Sequence, residues 1–409
     1  MDNPDILVIG AGAAGLTAAI FAAQKNKRVL LLERTPQAGR KILMSGGTRC
    51  NILPVRVAVS DYETASSKNR LRNIFKSWSI DQCRRWFEEE IGLELLCETK
   101  TNKWFPKSNS AREVRDKLLQ HAESLGVSIR SQSMVTSIHR SDKQWYVTLE
   151  NGDQLQAPSV IAATGGLSIP GCGTDGTGHV IMEQLGHKLH TPYPALTPLK
   201  GPHPGGGNSL PGVSLDVELT CPFPAKQSFQ NQRGGFLFTH QGYSGPAVLD
   251  LSHLIVKSHE EDPSRINQML RVNWIGESPD WWRSQFEGKQ DTRALLRRHL
   301  PGRLADALLA ENGLSGKKTA ELTRSERNRL VDDLTNYQLQ PTGHFGFDKA
   351  EVTGGGVPLE EVNPATMESR IAPGLYLCGE LLDVFGRIGG FNFYWAWVTG
   401  RLAGISQYQ

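Results

Sequence analysis

The dominant pattern along the chain is a series of short, wholly apolar runs that end in small residues. Ile6-Leu7-Val8-Ile9, Val29-Leu30-Leu31-Leu32, Val160-Ile161-Ala162-Ala163 and Leu375-Tyr376-Leu377-Cys378 are the clearest. Continuous rather than alternating apolar residues predict strands covered on both faces, as in a parallel sheet. The alanine-rich stretch Leu16 to Gln24 reads as the helix between the first two. Further helices are predicted over Ala111 to Leu125, His179 to Leu185, Ala247 to Val256 and Phe393 to Ile405. Strands are predicted at Val127 to Ile129, Met134 to Ile138, Val213 to Leu219 and Gly235 to His240. Trp145 to Leu149 and Gln154 to Gln156 read as a hairpin closed by Asn151-Gly152, a favoured two-residue turn. Ser244-Gly245-Pro246 marks a helix start.

The fold class that follows is α/β, with a Rossmann-like dinucleotide-binding domain. Residues 1–190 and 344–409 are assigned to it. Residues 191–288, rich in Pro, Gly and short β-like runs, form an insert. Residues 289–343 form a small basic helical module.

Gly10-Ala11-Gly12-Ala13-Ala14-Gly15 stands between the first strand and the first helix, and Glu33 ends the second strand. This is the glycine fingerprint in its full context of strand, turn, helix, strand and acid. Gly10 permits the turn, Gly12 lets the backbone approach a pyrophosphate, and Gly15 lets helix and strand pack closely. The helix start offers N–H groups and partial positive charge. Glu33 is placed for a free ribose 2′-OH, which excludes a 2′-phosphate. Gly39-Arg40-Lys41 adds two cations, and Ser45-Gly46-Gly47-Thr48-Arg49-Cys50-Asn51 is a small-residue loop suited to a flat ring. Gly171-Cys172-Gly173-Thr174-Asp175-Gly176 repeats the glycine spacing, but Ser168-Ile169-Pro170 precedes it rather than a strand, and no acid follows at the required distance. It is not expected to form a second nucleotide site.

Late in the chain the same character returns. Glu351-Val352-Thr353-Gly354-Gly355-Gly356-Val357 is a strand entering a glycine loop. Gly379-Glu380, Asp383 and Gly389-Gly390-Phe391-Asn392 precede the last helix, whose start can face the end of a flavin where negative charge collects on reduction. An early half-site plus a late half-site around an insert points to FAD. The expected cofactor contacts are Gly10, Gly12, Ala14, Gly15, Glu33, Arg34, Arg40, Lys41, Ser45, Gly46, Gly47, Cys50, Asn51, Val135, Thr164, Gly165, Gly379, Glu380, Asp383, Gly389, Gly390, Phe391 and Asn392. Cys50, His240 and Tyr243 are candidate proton donors.

Composition narrows the picture. Hydrophobic residues at 39% and charged residues at 21% suit a chain with real cores. The net charge of +3 is too small to imply a polyanionic partner by itself. Locally, residues 289–329 carry ten Lys and Arg against five acids, which admits RNA contact there. None of the six cysteines forms a C-x-x-C pair, and no Cys/His cluster has zinc spacing, so no metal is expected. The acidic opening Met1 to Asp5 is not a signal peptide. The longest apolar stretch is too short for a bilayer. A cytoplasmic protein without membrane contact is expected.

These motifs together are similar to the BaiN-like family of FAD-binding flavoproteins, also described as aminoacetone-oxidase-like. The resemblance spans nearly the whole chain. It rests on the early turn, Gly39-Arg40-Lys41, Ser45 to Asn51, Trp104-Phe105-Pro106, Ala163-Thr164-Gly165-Gly166, Thr239 to Pro246, Val352 to Val357, Met367-Glu368-Ser369 and Gly379 through Asn392. Thr48 stands where the family usually has a third glycine, and Val384 to Arg387 is less polar than usual. The resemblance implies a glutathione-reductase-type FAD domain with a β-barrel insert and a helical module. It also implies an FAD-dependent oxidoreductase that passes hydride to an activated C=C bond of a steroid-like enone or of a ribosomal RNA uridine, with NAD(P)H as transient donor. Two alternatives are an amine oxidase that releases peroxide and an RNA-associated protein that holds FAD structurally.

Overall fold

A computed structural model describes residues 3–99, 101–207, 209–222, 231–261 and 270–406. The four apolar runs become neighbours in one parallel sheet. Ile6–Ile9 lies between Val29–Leu32 and Ser159–Ala162; Leu375–Leu377 flanks the latter and Ser128–Arg130 the former. All four residues of Ile6–Ile9 are buried, as the unbroken apolar run requires. Helix Ala13–Ala23 follows the first strand, and its alanines are largely buried. Ala111–Ser124 is an amphipathic helix that buries Val114 and Leu118 and starts on Ser110, whose Oγ accepts the Glu113 N–H.

The hairpin differs from expectation in its turn. Leu149 N–H donates to the Asp153 carbonyl, which leaves Glu150, Asn151 and Gly152 as a three-residue loop. Only Gly152 is left-handed, at φ 88°, the pattern of a type I turn followed by an αL residue. The type I′ turn would need positive φ at Asn151 as well.

The chain divides into two compact units. One is Met1–Tyr193 with Val352–Gln409, and the other is Pro194–Glu351. In the second, seven antiparallel strands follow an order whose ends are Tyr337–Leu339 and Gly343–His344. The resemblance implied a β-barrel insert; parts of that insert lie outside the described residues. Residues 289–343 are not a module apart. Leu295, Leu304, Leu308, Leu330 and Leu334 share one core with Val217, Leu219, Phe236 and Trp274 of the sheet, because each helix needs that apolar face to bury its own.

Candidate functional site

The glycine turn has the geometry its spacing predicts. Gly10 sits at φ 99°, and a Cβ there would stand 2.5 Å from the Ala163 carbonyl oxygen. A Cβ on Gly15 would stand 1.8 Å from the Gly10 carbonyl oxygen, so helix and turn pack backbone to backbone. A Cβ on Gly12 would meet nothing within 4 Å. Gly12 therefore faces open space, and it N-caps a helix with neither a side-chain cap nor an acid in its first turn. Unsatisfied N–H groups at such a start form an anion cradle.

Glu33 is buried at the end of its strand. Its Oε2 accepts the Ala11 N–H at 3.1 Å, and Oε1 accepts from the Thr35 N–H and hydroxyl, both at 2.8 Å. The carboxylate thus braces the turn. Its two oxygens offer about four acceptor positions, so a ribose hydroxyl can share them. The next residue, Arg34, is ion-paired: its Nη1 lies 2.6 Å from Asp175 Oδ1. Val135 is buried at the start of its strand.

The late motifs reach this turn. A Cβ on Gly379 would lie 2.9 Å from Ala14 Cβ. Helix Phe391–Ile405 packs along Ala13–Ala23, where Cβ atoms on Gly400 and Gly404 would stand 2.4 and 2.5 Å from the carbonyl oxygens of Ala14 and Ala18. The two halves, separated by the whole second unit in sequence, meet as expected.

Lys41 and Glu380 were expected to face a cofactor; the structure joins them to each other. Lys41 Nζ lies 2.5 Å from Glu380 Oε2 and from Ser168 Oγ. Glu380 Oε1 accepts from Ser168 Oγ at 2.6 Å and from the Thr353 N–H at 3.0 Å. Burial alone would raise the Glu380 carboxyl, but the Lys41 charge and these donors hold it below its ordinary value. The network fastens the loops after three strands. Arg40 stands half-buried beside Lys41. Asp383 is likewise engaged, its Oδ2 accepting the Ala65 N–H at 2.9 Å.

In the loop Ser45 to Asn51, Gly46, Gly47, Thr48 and Cys50 all take positive φ. The position usually filled by a third glycine is left-handed here in a β-branched threonine, at φ 71°. The loop ends at Asn51, whose Oδ1 is buried with no partner among the described residues. That oxygen would lie 2.8 Å from a Cβ on Gly390, the left-handed N-cap of Phe391–Ile405, a helix also lacking a side-chain cap. Lys103 joins this corner: its Cε would lie 2.9 Å from a Cβ on Gly389. Asn392 serves the backbone instead, accepting the Gly386 N–H at 2.7 Å and donating to the Gly386 carbonyl at 2.9 Å, while the Phe391 carbonyl accepts the Tyr62 hydroxyl at 2.9 Å. Thr164 and Gly165 are half-buried after the third strand.

Open space over Gly12, two uncapped helix starts and an orphaned buried acceptor fit an elongated dinucleotide with its diphosphate at the first helix. The residue pattern is matched along residues 4–406 by the family model described as HI0933-like protein Rossmann domain. The chain belongs to that family. It is 33% identical to the ribosomal RNA dihydrouridine synthase of Escherichia coli over 407 residues, 97% of this chain and 96% of that protein. It is 32% identical over 408 residues to the 3-dehydro-bile acid delta(4,6)-reductase of Clostridium scindens, 97% of each. Among solved structures, the 3-ketosteroid delta1-dehydrogenase of Sterolibacterium denitrificans matches with a TM-score of 0.53 at 13% identity, covering 99% of both chains. The fold is the Rossmann-like FAD-binding fold of flavoenzymes, and the chain is a member of an FAD-dependent oxidoreductase family. No helix among the described residues is long and apolar enough to cross a membrane.

The three candidate proton donors fare differently. Cys50 is fully buried, and burial pushes its thiol up to about 12 against a hydrogen bond with Ser45. Tyr243 is a core residue of the second unit whose hydroxyl donates to the Pro202 carbonyl, and burial raises it further. Its hydroxyl is thus engaged within the core of its own unit. His240 stands exposed in the turn between Asn231–Thr239 and Gly242–Ser244. Sequence reasoning missed Ser168, Thr353, Lys103 and the glycine pair 400 and 404. Only the last left a signal, one helical turn of spacing.

Proposed function

We propose that this chain reduces a carbon–carbon double bond conjugated to a carbonyl, with a uridine of ribosomal RNA as substrate and NAD(P)H as electron source. The observation that carries this reading is full-length similarity to two differently named reductases. Saturating uridine to dihydrouridine and reducing a delta(4,6) bile acid with a 3-keto group are one chemistry. Hydride adds to the alkene carbon remote from the carbonyl, and a proton adds nearer to it. FAD, when bound, supplies the hydride-carrying ring.

The chain's own part is binding and electrostatics. The Gly10–Gly15 turn and its helix start hold the diphosphate, and Glu33 receives the ribose. The uncapped start of Phe391–Ile405, with Lys103 beside it, supplies positive potential where charge develops. His240 is the candidate proton donor with access to solvent. RNA contact through residues 289–329 must rely on few free cations. Arg293 and Arg297 both pair with Asp306, Lys317 pairs with Glu326, Arg329 holds Asn312, and Arg303 holds the Ser209 and Pro211 carbonyls.

The test is anaerobic. FAD-loaded protein is reduced with NADH or NADPH and mixed with unmodified rRNA or with a 4-en-3-one steroid. Reoxidation by rRNA with dihydrouridine formed is the expected result. Reoxidation by the steroid alone transfers the reading to small enones. Bleaching of the flavin by an amine without nicotinamide, with peroxide released once air is admitted, or salt-sensitive RNA binding without turnover, overturns it.

A further inference from the structure

The second glycine-rich stretch, Gly171 to Gly176, plays no part in the function as described, yet its contacts tie it to the first. Ile6–Ile9, which carries the Gly10–Gly12 turn, is flanked by Ser159–Ala162 and Val29–Leu32. Thr174 lies on the loop that leaves one flank: a Cβ on Gly165 would stand 2.8 Å from Thr174 Cγ2, and Thr174 Oγ1 donates to the Ser168 carbonyl at 2.6 Å. Gly173 lies on the loop that leaves the other: a Cβ there would stand 2.8 Å from Thr35 Cγ2 and 3.2 Å from Arg34 Cγ. Arg34 Nη1 donates to the Gly173 carbonyl at 3.4 Å and pairs with Asp175 at 2.6 Å. Three consecutive residues therefore reach from the carboxyl end of one flanking strand to that of the other. The strand between them is the one whose turn receives the diphosphate. In open α/β sheets the dinucleotide lies in the crevice outside these strand ends.

We propose that Gly173 to Asp175 is a strap over the adenosine half of the bound dinucleotide, latched by the Arg34–Asp175 ion pair. The proposal rests on FAD binding at the first turn. The latch is well made. Burial raises the Asp175 carboxyl, but hydrogen bonds from Arg34 and Thr177 and the Arg34 charge prevail and bring it to about 2. The side chains of Arg34 and Asp175 are 30% and 40% exposed, so water reaches the pair and the strap can open for exchange. A second tie lies beside it, with Cys172 Sγ 3.1 Å from Met44 Sδ. The strap explains why the stretch has nucleotide-like glycine spacing without a strand before it: Gly173, at φ 96°, has room for no side chain against Arg34 and Thr35.

The test compares FAD release from holoenzyme, read as recovery of flavin fluorescence on dilution, in Asp175→Asn, Arg34→Gln and the charge swap Arg34→Asp with Asp175→Arg. ADP affinity of the apoprotein is measured alongside, because ADP carries the adenosine half. Each single substitution is expected to speed FAD release and weaken ADP by about 2- to 5-fold, the range of a partly exposed ion pair. The swap should restore both. Release from the unsubstituted protein should quicken with KCl, and release from Asp175→Asn should not. Unchanged or slower release, or ADP affinity that is unchanged or tighter, overturns the strap; slower release with tighter ADP would mean that the pair occupies the adenosine position and must be displaced. If the unsubstituted protein takes up no FAD, the cofactor reading itself fails, a distinct result.

Discussion

Replacing Gly400 with alanine tests whether the cofactor turn depends on the last helix. In a free helix this change adds about 1 kcal/mol of stability, because glycine is the poorer helix former. Here the new methyl would stand 2.4 Å from the Ala14 carbonyl oxygen and 3.2 Å from Ala14 Cα. Both are backbone atoms and cannot rotate away. An ordinary carbon–oxygen contact is about 3.4 Å, so Phe391–Ile405 must retreat by about 1 Å from Ala13–Ala23 along a tightly packed interface. Overpacking of this kind costs about 1–3 kcal/mol, and more where only backbone can yield. The net expectation is a loss of about 1–2 kcal/mol, or about 2–8 °C in the melting temperature of a unit this size. Ala14 belongs to the first turn of the phosphate-facing helix, so flavin content on purification should fall as well. Differential scanning calorimetry on apo and FAD-loaded protein makes the measurement. A Gly400→Ala chain that melts at or above the parent temperature with full flavin would refute the reasoning.

Four further outcomes follow from the geometry. Gly12→Val meets open space and should leave apoprotein melting within about 0.5 kcal/mol of the parent while abolishing flavin uptake; a yellow Gly12→Val preparation contradicts the cradle. Glu380 titrates below its ordinary value of 4.5, so its contribution is complete above that pH and is lost as pH falls through the lowered folded value. Lys41→Met leaves burial to raise the Glu380 carboxyl and should cost about 3 kcal/mol near neutrality, a loss that shrinks rather than grows as pH falls and the carboxyl takes up a proton; melting curves against pH that show the variant's deficit widening on acidification would exclude it. Thr48→Gly relieves a left-handed β-branched residue and should raise stability by up to about 1 kcal/mol; a loss in urea titration would mean that the threonine side chain holds the loop. Under native conditions iodoacetamide should label the half-buried Cys97 and Cys172 and spare the buried Cys50, Cys83, Cys221 and Cys378, with rapid Cys50 labelling as the contrary result.

The parts of the site that were legible from sequence are those fixed by local grammar. Strand, glycine turn, helix and Glu33 lie within one short stretch, and each residue type has one physical use there. Gly379 was legible for the same reason. What escaped depends on pairs far apart along the chain. Lys41 and Glu380 are 339 residues apart, and each looked like a cofactor ligand because neither carries a mark of its partner. The pairing of Arg34 with Asp175 was likewise invisible, because the two lie on separate loops. Tyr243 sat in a motif shared with flavoproteins, yet its burial follows from strand register with Leu199 and Phe238, which spacing alone does not reveal. The two-residue hairpin turn was misjudged because Asn-Gly is also compatible with a longer loop.

The backbone contact between Gly400 and Ala14 also sets an order of events at birth. At about 5–20 residues per second, the ribosome finishes the first helix roughly 20–80 seconds before its partner emerges. Throughout that interval the glycine turn has no lid of its own, while the intervening unit is synthesised complete and can collapse on its own core. Flavin loading is therefore expected only after Phe391–Ile405 has emerged, and a nascent chain stalled before that helix should remain colourless.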